Sequence, residues 1–307
     1  MKALVIGADG FVGGHLVAHL RDEGDVVVEG IGPHGRETED RHPLDVRDEA
    51  AVAVLLDRSR PDAIYHLAAV AYGPDASADL ASAVSTTVGG TVNVLERART
   101  LDPVPTVLVP GSAEVYGSPD TNLITEETPL RPVNLYGATK VSQESIALTF
   151  GRAHGVPVVA TRSFNHIGPG QRDSFAVASF ARQLRLIELG RAEPILRVGN
   201  QAPVRDFSDV RDVVRAYRLL VAGRHTGEPV NVASGTGISI GELVTRLVAI
   251  SGQQVRVEVD PSRVRRDDPP RVVGDYGRLR QLTGWTPAFS IDETLREVWA
   301  DARRRTS

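Results

Sequence analysis

The chain has 307 residues, a formal net charge of −4 at pH 7 and few aromatic residues. That length exceeds one ordinary domain and can bury a large core, while the charge balance shows neither the basic footprint of a nucleic-acid binder nor an acidic tail. Cysteine is absent, which excludes disulfides, thiol catalysis and thiolate metal sites.

The first predicted strand, Lys2–Ile6 (KALVI), starts so early that no secretory leader is expected, and no apolar run approaches the ~20 residues that span a bilayer. A soluble, cytoplasmic protein without membrane or nucleic-acid partners is the expectation. The strand runs straight into Gly7, Gly10, Phe11, Val12, Gly13 and Gly14, and a helical pattern follows to Gly24. Strand, glycine turn and helix in that order form the context of a dinucleotide-binding loop, where glycines let the backbone approach a pyrophosphate and helix N–H groups face it. The spacing is GxxGxxG, and plain turn glycines are the alternative.

Residues 25–31 read as the second strand. An acid at its tip would grip the adenosine ribose of NAD, but here the tip reads Ile31-Gly32-Pro33-His34-Gly35-Arg36. Arg36 is positioned to meet the 2′-phosphate of NADP, or is merely solvated; the reading leans to NADP. Asp45 and Val46 follow in a short extended segment, with the Asp45 carboxylate either bonding an adenine amino group or capping a helix.

Residues 62–67 (DAIYHL) form another buried strand. Leu67, Ala68, Ala69 and the small residues after them suit close approach of a flat ligand at a strand's carboxyl end. His66 reads as structural. Residues 77–100 read as one long helix, with Leu80, Val84, Val88, Val92 and Leu95 at helical spacing, and residues 105–110 as the next strand.

That strand leads to Ser112, then to a polar loop containing Glu114, then to Tyr136 and Lys140. If residues 137–150 are helical, the spacing of four puts phenol and ammonium on one face. A phenol titrates near pH ~10 and needs a neighbouring positive charge to act as a base at neutrality. Lys140 and an oxidised nicotinamide are the candidates, with Ser112 holding a substrate oxygen while Tyr136 gives or takes its proton. A half-buried ring beside a solvated cation is the bland alternative.

Residues 156–162 form the sixth strand and run into a loop whose Asn165 either donates to a phosphate or sugar or simply forms a turn. A helix over 175–190 and a short strand over 196–199 follow. Residues 204–213 lead into a helix that continues through Leu220, and residues 230–232 return to strand. A helix over 238–251, a strand over 254–259, an arginine-dense run over 263–271 and a terminal amphipathic helix finish the chain. Arginine matches phosphate oxygens in pairs, so the run is a candidate to close over a nucleotide diphosphate. Alternating strands and helices predict a doubly wound parallel α/β sheet.

With these residues laid out, the chain resembles the extended short-chain dehydrogenase/reductases acting on nucleotide sugars, the NAD-dependent epimerase/dehydratase family. The matching pieces are GADGFVG at 7–13, HLAA at 66–69, GSAEVYG at 111–117, YGATK at 136–140, RSFNHIGPGQ at 162–171, RDFSDVRDVV at 205–214 and VGDYGRLRQLTGW at 273–285. Within that family it most resembles the GDP-mannose branch of 4,6-dehydratases and 4-keto-6-deoxymannose reductases.

The resemblance implies a Rossmann fold over 1–170, with 204–233 returning to it, and a smaller C-terminal α/β substrate-binding domain over 171–203 and 234–307. It implies that Ser112, Tyr136 and Lys140 are catalytic, that Gly7, Gly10 and Gly13 carry the cofactor pyrophosphate, and that Lys140 also holds the nicotinamide ribose. Asn165, Arg205 and Arg265 are implied to bind the sugar nucleotide, the two arginines on its phosphates. A homodimer through the helices beginning at 77 and 137 is implied as well.

Reduction and dehydration are separated by Ala113-Glu114. Eliminating water needs a base for the C5 proton and an acid for the leaving hydroxyl. Dehydratases of this family place an acid or hydroxyl residue before the glutamate, and Ala113 is neither, although Glu114 remains available as a base. Thr87 is a second departure, standing where the family commonly has Asn. The leading expectation is NAD(P)H-dependent reduction at C4 of a GDP-linked 4-keto-6-deoxyhexose. A dehydratase or epimerase that recycles its cofactor, and a non-catalytic dinucleotide-binding protein, are the alternatives.

Overall fold

The computed structural model describes residues 1–70, 73–264 and 268–305. In chain order the first half comprises β1 (Lys2–Ile6), α1 (Phe11–Asp22), β2 (Val26–Ile31), β3 (Arg41–Pro43), α2 (Glu49–Ser59), β4 (Ala63–His66), α3 (Gly73–Ala78), α4 (Leu80–Val84), a π-helical turn (Ser85–Gly89), α5 (Gly90–Ala98), β5 (Thr106–Ser112) and α6 (Leu135–His154). The second half comprises β6 (Val158–Ser163), β7 (Asn165–Ile167), α7 (Ala176–Glu188), β8 (Ile195–Val198), β9 (Val204–Asp209), α8 (Val210–Ala222), β10 (Pro229–Val232), β11 (Gly237–Ser239), α9 (Ile240–Ser251), β12 (Arg256–Val259), β13 (Arg271–Val272), α10 (Gly277–Thr283) and α11 (Ile291–Arg305).

Among the described residues, the main sheet has seven parallel strands in the order β10-β6-β5-β4-β1-β2-β3. Strands such as β4 and β6 are buried along their whole length, which is why they read as unbroken apolar runs: helices cover both faces of a parallel sheet. On one face α1 and α8 pack Leu16, Leu20, Val213 and Leu220 around Trp285. On the other, α2, α5 and α6 pack Leu56, Leu95 and Ala147. The winding reverses between β1 and β4, and the crevice at the carboxyl ends of those two strands is where an open α/β sheet binds ligands.

A second layer forms around β9, which pairs with β7 and β13 in parallel and with β11 antiparallel; β8 and β12 make a separate parallel pair. α7, α9 and α11 enclose their own apolar cluster, with Phe180, Leu184, Leu247, Leu295 and Trp299 at its centre. The chain therefore builds a doubly wound sheet with a smaller C-terminal α/β layer. Among the described residues no helix is long and apolar enough to cross a membrane.

One expectation is corrected. The single helix predicted over 77–100 is broken: Asp79 accepts a hydrogen bond from the Ser82 amide and starts a new helix, and the turn before the Gly89-Gly90 pair widens to a π-helix. The π turn carries Thr87 into the interior, where its hydroxyl accepts from the Val70 amide at 3.3 Å. The segment 204–213 opens with six residues of strand before its helix, because Asp209 caps that helix by accepting from the Arg211 amide at 2.8 Å.

Candidate active site

A cleft of ≈ 1840 Å³ opens at the carboxyl ends of β1, β4 and β5 and continues to β9 and the segment before β13. At its floor the glycine loop is packed too tightly for side chains. A Cβ on Gly13 would lie 2.1 Å from the Gly7 carbonyl oxygen, and Gly7 has φ +90°, a conformation that L side chains rarely adopt. α1 begins after Gly10 with no side-chain cap and no acid in its first turn, so no side chain of the helix itself competes for its leading N–H groups beside Phe11 and Val12. This cradle fits the pyrophosphate of a dinucleotide.

The walls beside it place Val46, Leu67, Ala68 and Ala69 in the cleft. Asp45 also lines it, but its carboxylate is bonded to the Arg47 guanidinium, at 2.6 Å in the shortest contact, and to the Arg47 amide at 3.0 Å. Those bonds hold the carboxyl below its ordinary range. The helix-capping alternative falls to Asp48, which accepts from Ala51. Arg36 is exposed and lies outside the cleft wall. Instead the glycine loop's own Asp9 reaches the β2 tip, accepting a hydrogen bond from the Gly32 amide at 3.0 Å.

Ser112, Glu114, Tyr136 and Lys140 all line the cleft beyond the cradle. β5 delivers Ser112 as its last residue, and a short 3₁₀ turn, Ala113–Tyr116, carries Glu114. α6 delivers the other two, starting at Asn134, whose side chain accepts from the Gly137 amide at 2.8 Å and donates to the Glu114 carboxylate at 2.5 Å. One asparagine thus caps the helix and anchors the glutamate.

The phenol of Tyr136 is pushed well above its ordinary acidity range, first by burial and then by the negative charge of Glu114, with a hydrogen bond to Ser112 acting in the opposite direction. The charge of Lys140 is not among these influences. The Lys140 ammonium donates instead to the Pro110 carbonyl at 2.9 Å and to the Gln143 side chain at 2.8 Å. Desolvation lowers its own pKa to about 8. A phenol in this setting holds its proton at neutrality.

On the far wall, Asn165 stands exposed at the start of β7. Arg205 on β9 donates to the carbonyl of Val204 at 2.8 Å and pairs with Asp268 at 2.5 Å. Arg263, from the arginine-dense run, also lines the cleft, whereas Arg271 donates to the Asn122 carbonyl and is not part of the wall. Arg265 lies outside the described residues. His66 is buried, as expected of a structural residue, and burial lowers its pKa to about 3.

Sequence reasoning did not single out Asn134, Gln143 or Asp268. The first two were findable: Asn134 stands before the helix as a cap residue does, and Gln143 follows Lys140 by three on the same helical face. Asp268 carried no such local signal.

A dinucleotide cradle at the switch point and a Ser-Tyr-Lys set opposite it define the extended short-chain dehydrogenase/reductases, enzymes built around a nicotinamide dinucleotide. The comparisons narrow this class: the model of the GDP-mannose 4,6-dehydratase family matches residues 4–298, and the chain belongs to that family. It is 36% identical to the GDP-6-deoxy-D-mannose reductase of Pseudomonas aeruginosa, over 99% of this chain and 98% of that protein. It is 31% identical to the GDP-6-deoxy-D-talose 4-dehydrogenase of Aggregatibacter actinomycetemcomitans, over 97% of each. Among solved structures it is similar to RMD from P. aeruginosa complexed with NADPH (34% identity, 99% of both chains, TM-score 0.88). It is similar also to the Thermus thermophilus UDP-glucose 4-epimerase complexed with NAD (26% identity, 99% of both chains, TM-score 0.86). These relatives are named as GDP-sugar and UDP-sugar reductases, dehydrogenases and epimerases, and the two solved structures hold NADPH and NAD.

Proposed function

We propose that the protein is a ketoreductase that reduces C4 of a GDP-linked 4-keto-6-deoxyhexose. The observation that carries the reading is Ala113: buried directly before Glu114, it supplies neither the acid nor the hydroxyl that water elimination needs. The names of the two GDP-sugar relatives support the guanine nucleotide.

In this reading Gly7, Gly10 and Gly13 hold the dinucleotide pyrophosphate, and a reduced nicotinamide supplies hydride when bound. Ser112 donates a hydrogen bond to the C4 carbonyl oxygen, and Tyr136 passes its phenolic proton to that oxygen as negative charge develops. Lys140 steadies the resulting phenolate and contacts the nicotinamide ribose. Asn165, Arg205 and Arg265 hold the sugar nucleotide, the arginines on its phosphates. Glu114, which lines the cleft at the reacting end, favours the second reading, a dehydratase in which its carboxylate removes the C5 proton.

NADPH over NADH is supported by the NADPH complex of the P. aeruginosa structure, whereas Arg36 stands outside the cleft wall. The Asp9 carboxylate at the β2 tip works against a 2′-phosphate, so titration with both cofactors decides. Exposed Leu80, Val84 and Ile146 on the helices beginning near 77 and 135 support a homodimer, and cytoplasmic residence completes the reading.

The test is to supply GDP-4-keto-6-deoxymannose with NADPH or NADH. Stoichiometric cofactor oxidation is expected. Conversion of GDP-mannose with no net oxidation of added cofactor would transfer the assignment to the dehydratase.

A further inference from the structure

Lys140 is braced by a buried hydrogen-bond chain that the reaction scheme above leaves unused. Its ammonium has three donors. One goes to the Pro110 carbonyl at the end of β5 and one to Gln143 Oε1, which leaves the third for the cleft that Lys140 lines. Gln143 Nε2 donates in turn to Thr91 Oγ1 on α5 at 2.9 Å, and Thr91 donates to the Thr87 carbonyl at 2.6 Å. His66 Nε2 on β4 stands 3.1 Å from the same hydroxyl. All four side chains, Lys140, Gln143, Thr91 and His66, are between 1% and 5% exposed.

The chain has a fixed polarity. An ammonium only donates, so Gln143 must present its oxygen to Lys140 and its nitrogen to Thr91. The Thr91 proton is spent on the Thr87 carbonyl, so His66 must carry its proton on Nε2. That leaves Nδ1 as a bare acceptor, in agreement with its having no partner. Thr87 cannot substitute for Gln143, since its hydroxyl is turned to the Val70 amide.

We propose that Gln143 is the positioning residue of Lys140: its carboxamide, locked from behind by Thr91, holds the ammonium so that the remaining N–H projects into the cleft. The role rests on the reading of Lys140 as part of the reacting set. Gln143 touches neither substrate nor cofactor and acts through the lysine. Other titratable or charged groups around Lys140 are Tyr136 and Glu144 on α6, His66 on β4, Arg162 on β6 and Glu114 beyond β5. Glu144 and Arg162 are paired with each other, and His66 is neutral, so the neutral oxygen of Gln143 is the side-chain acceptor that favours the charged lysine directly.

The sequence offers a direct readout. It contains two lysines, Lys2 and Lys140, and Lys2 sits at the opposite, amino end of β1. Nuclear magnetic resonance of the full chain carrying isotope-labelled lysine therefore resolves the Lys140 titration with no substrate present. Relative to the parent, Gln143→Met is expected to lower the Lys140 midpoint by about one pH unit, because a hydrogen bond to the charged form is lost. Gln143→Glu is expected to raise it, and Thr91→Val, which loosens the brace without touching the lysine, to lower it by less. Where turnover is measured, the alkaline limb of the kcat/KM profile should move with the midpoint, down for Gln143→Met and up for Gln143→Glu.

A Lys140 midpoint unchanged in both Gln143 variants, with only the melting temperature falling, would overturn the proposal. Should Gln143→Met not fold, an unmoved midpoint in Gln143→Glu alone overturns it. Because the titration is read without turnover, its outcome is independent of which nucleotide sugar the protein reduces. A parent that oxidises no cofactor with any GDP-sugar would sink the functional reading alone.

Discussion

The guanidinium of Arg162 and the carboxylate of Glu144 form a two-pronged ion pair at 2.7 and 2.9 Å, with both side chains buried between α6 and β6. Arg162 also donates to the Tyr116 hydroxyl at 2.9 Å and to the Glu126 carbonyl at 3.0 Å. One side chain thus joins the helix that carries Tyr136 and Lys140 to the strand beneath it and to the turn that follows Ser112. Removing one partner leaves an uncompensated buried charge. Glu144→Gln is expected to cost about 3–5 kcal/mol in urea unfolding, and Glu144→Gln with Arg162→Met less than the sum of the two single changes.

Tyr136→Phe removes the phenolic proton and little volume. Turnover is expected to fall by about 10²–10⁴-fold, while cofactor affinity, followed by nucleotide fluorescence, stays within about twofold. Full activity in this variant would show that another group supplies the proton.

Gly13→Ala tests the cradle. Its Cβ would sit 2.1 Å from the Gly7 carbonyl oxygen and 2.8 Å from the Ala8 Cα, both backbone atoms that can move only with the loop. Dinucleotide affinity measured by calorimetry is expected to drop by at least about tenfold, or ~1.4 kcal/mol. The same substitution at Gly24, which has no neighbour within reach of a Cβ but a left-handed φ of +79°, should lower stability and leave affinity unchanged.

Acid stability should carry the mark of His66. Its pKa is about 3 in the fold and the ordinary 6.5 in the unfolded chain, so between those values the unfolded state binds more protons. Stability contributed by this group is therefore complete above pH 6.5 and is lost as pH falls toward 3. Denaturant titrations of the parent and of His66→Gln between pH 4.5 and 6 should differ in slope by up to about 1.4 kcal/mol per pH unit, the variant being the flatter. Equal slopes would mean that the ring is protonated in the fold.

The parts of the molecule legible from sequence are those whose cause is local. β1, β4 and β6 read as strands because burial on both faces leaves an unbroken apolar run, and the GxxGxxG loop announces itself by its place between strand and helix. β7, β11 and β13 went unseen because two or three residues are too few to display a period; they exist through their pairing with β9. The site divides the same way. Spacing placed Tyr136 and Lys140 on one face of α6, yet where the ammonium points depends on Pro110, thirty residues upstream. Asp45 offered two roles; the capping one falls to Asp48, and Arg47, two residues on, takes the carboxylate of Asp45 in the cleft. Thr87 was noticed as unusual, but no helical pattern could foretell the π turn that buries it.

One contact on the far wall bears on how a ligand comes and goes. Arg205 is held by Asp268, so under the proposed reading an arriving diphosphate would trade places with a carboxylate instead of filling a vacant positive site. The swap leaves the guanidinium with one anionic neighbour before and after, which dulls the dependence of binding on ionic strength. Under that reading the aspartate would recapture the arginine as the spent nucleotide leaves.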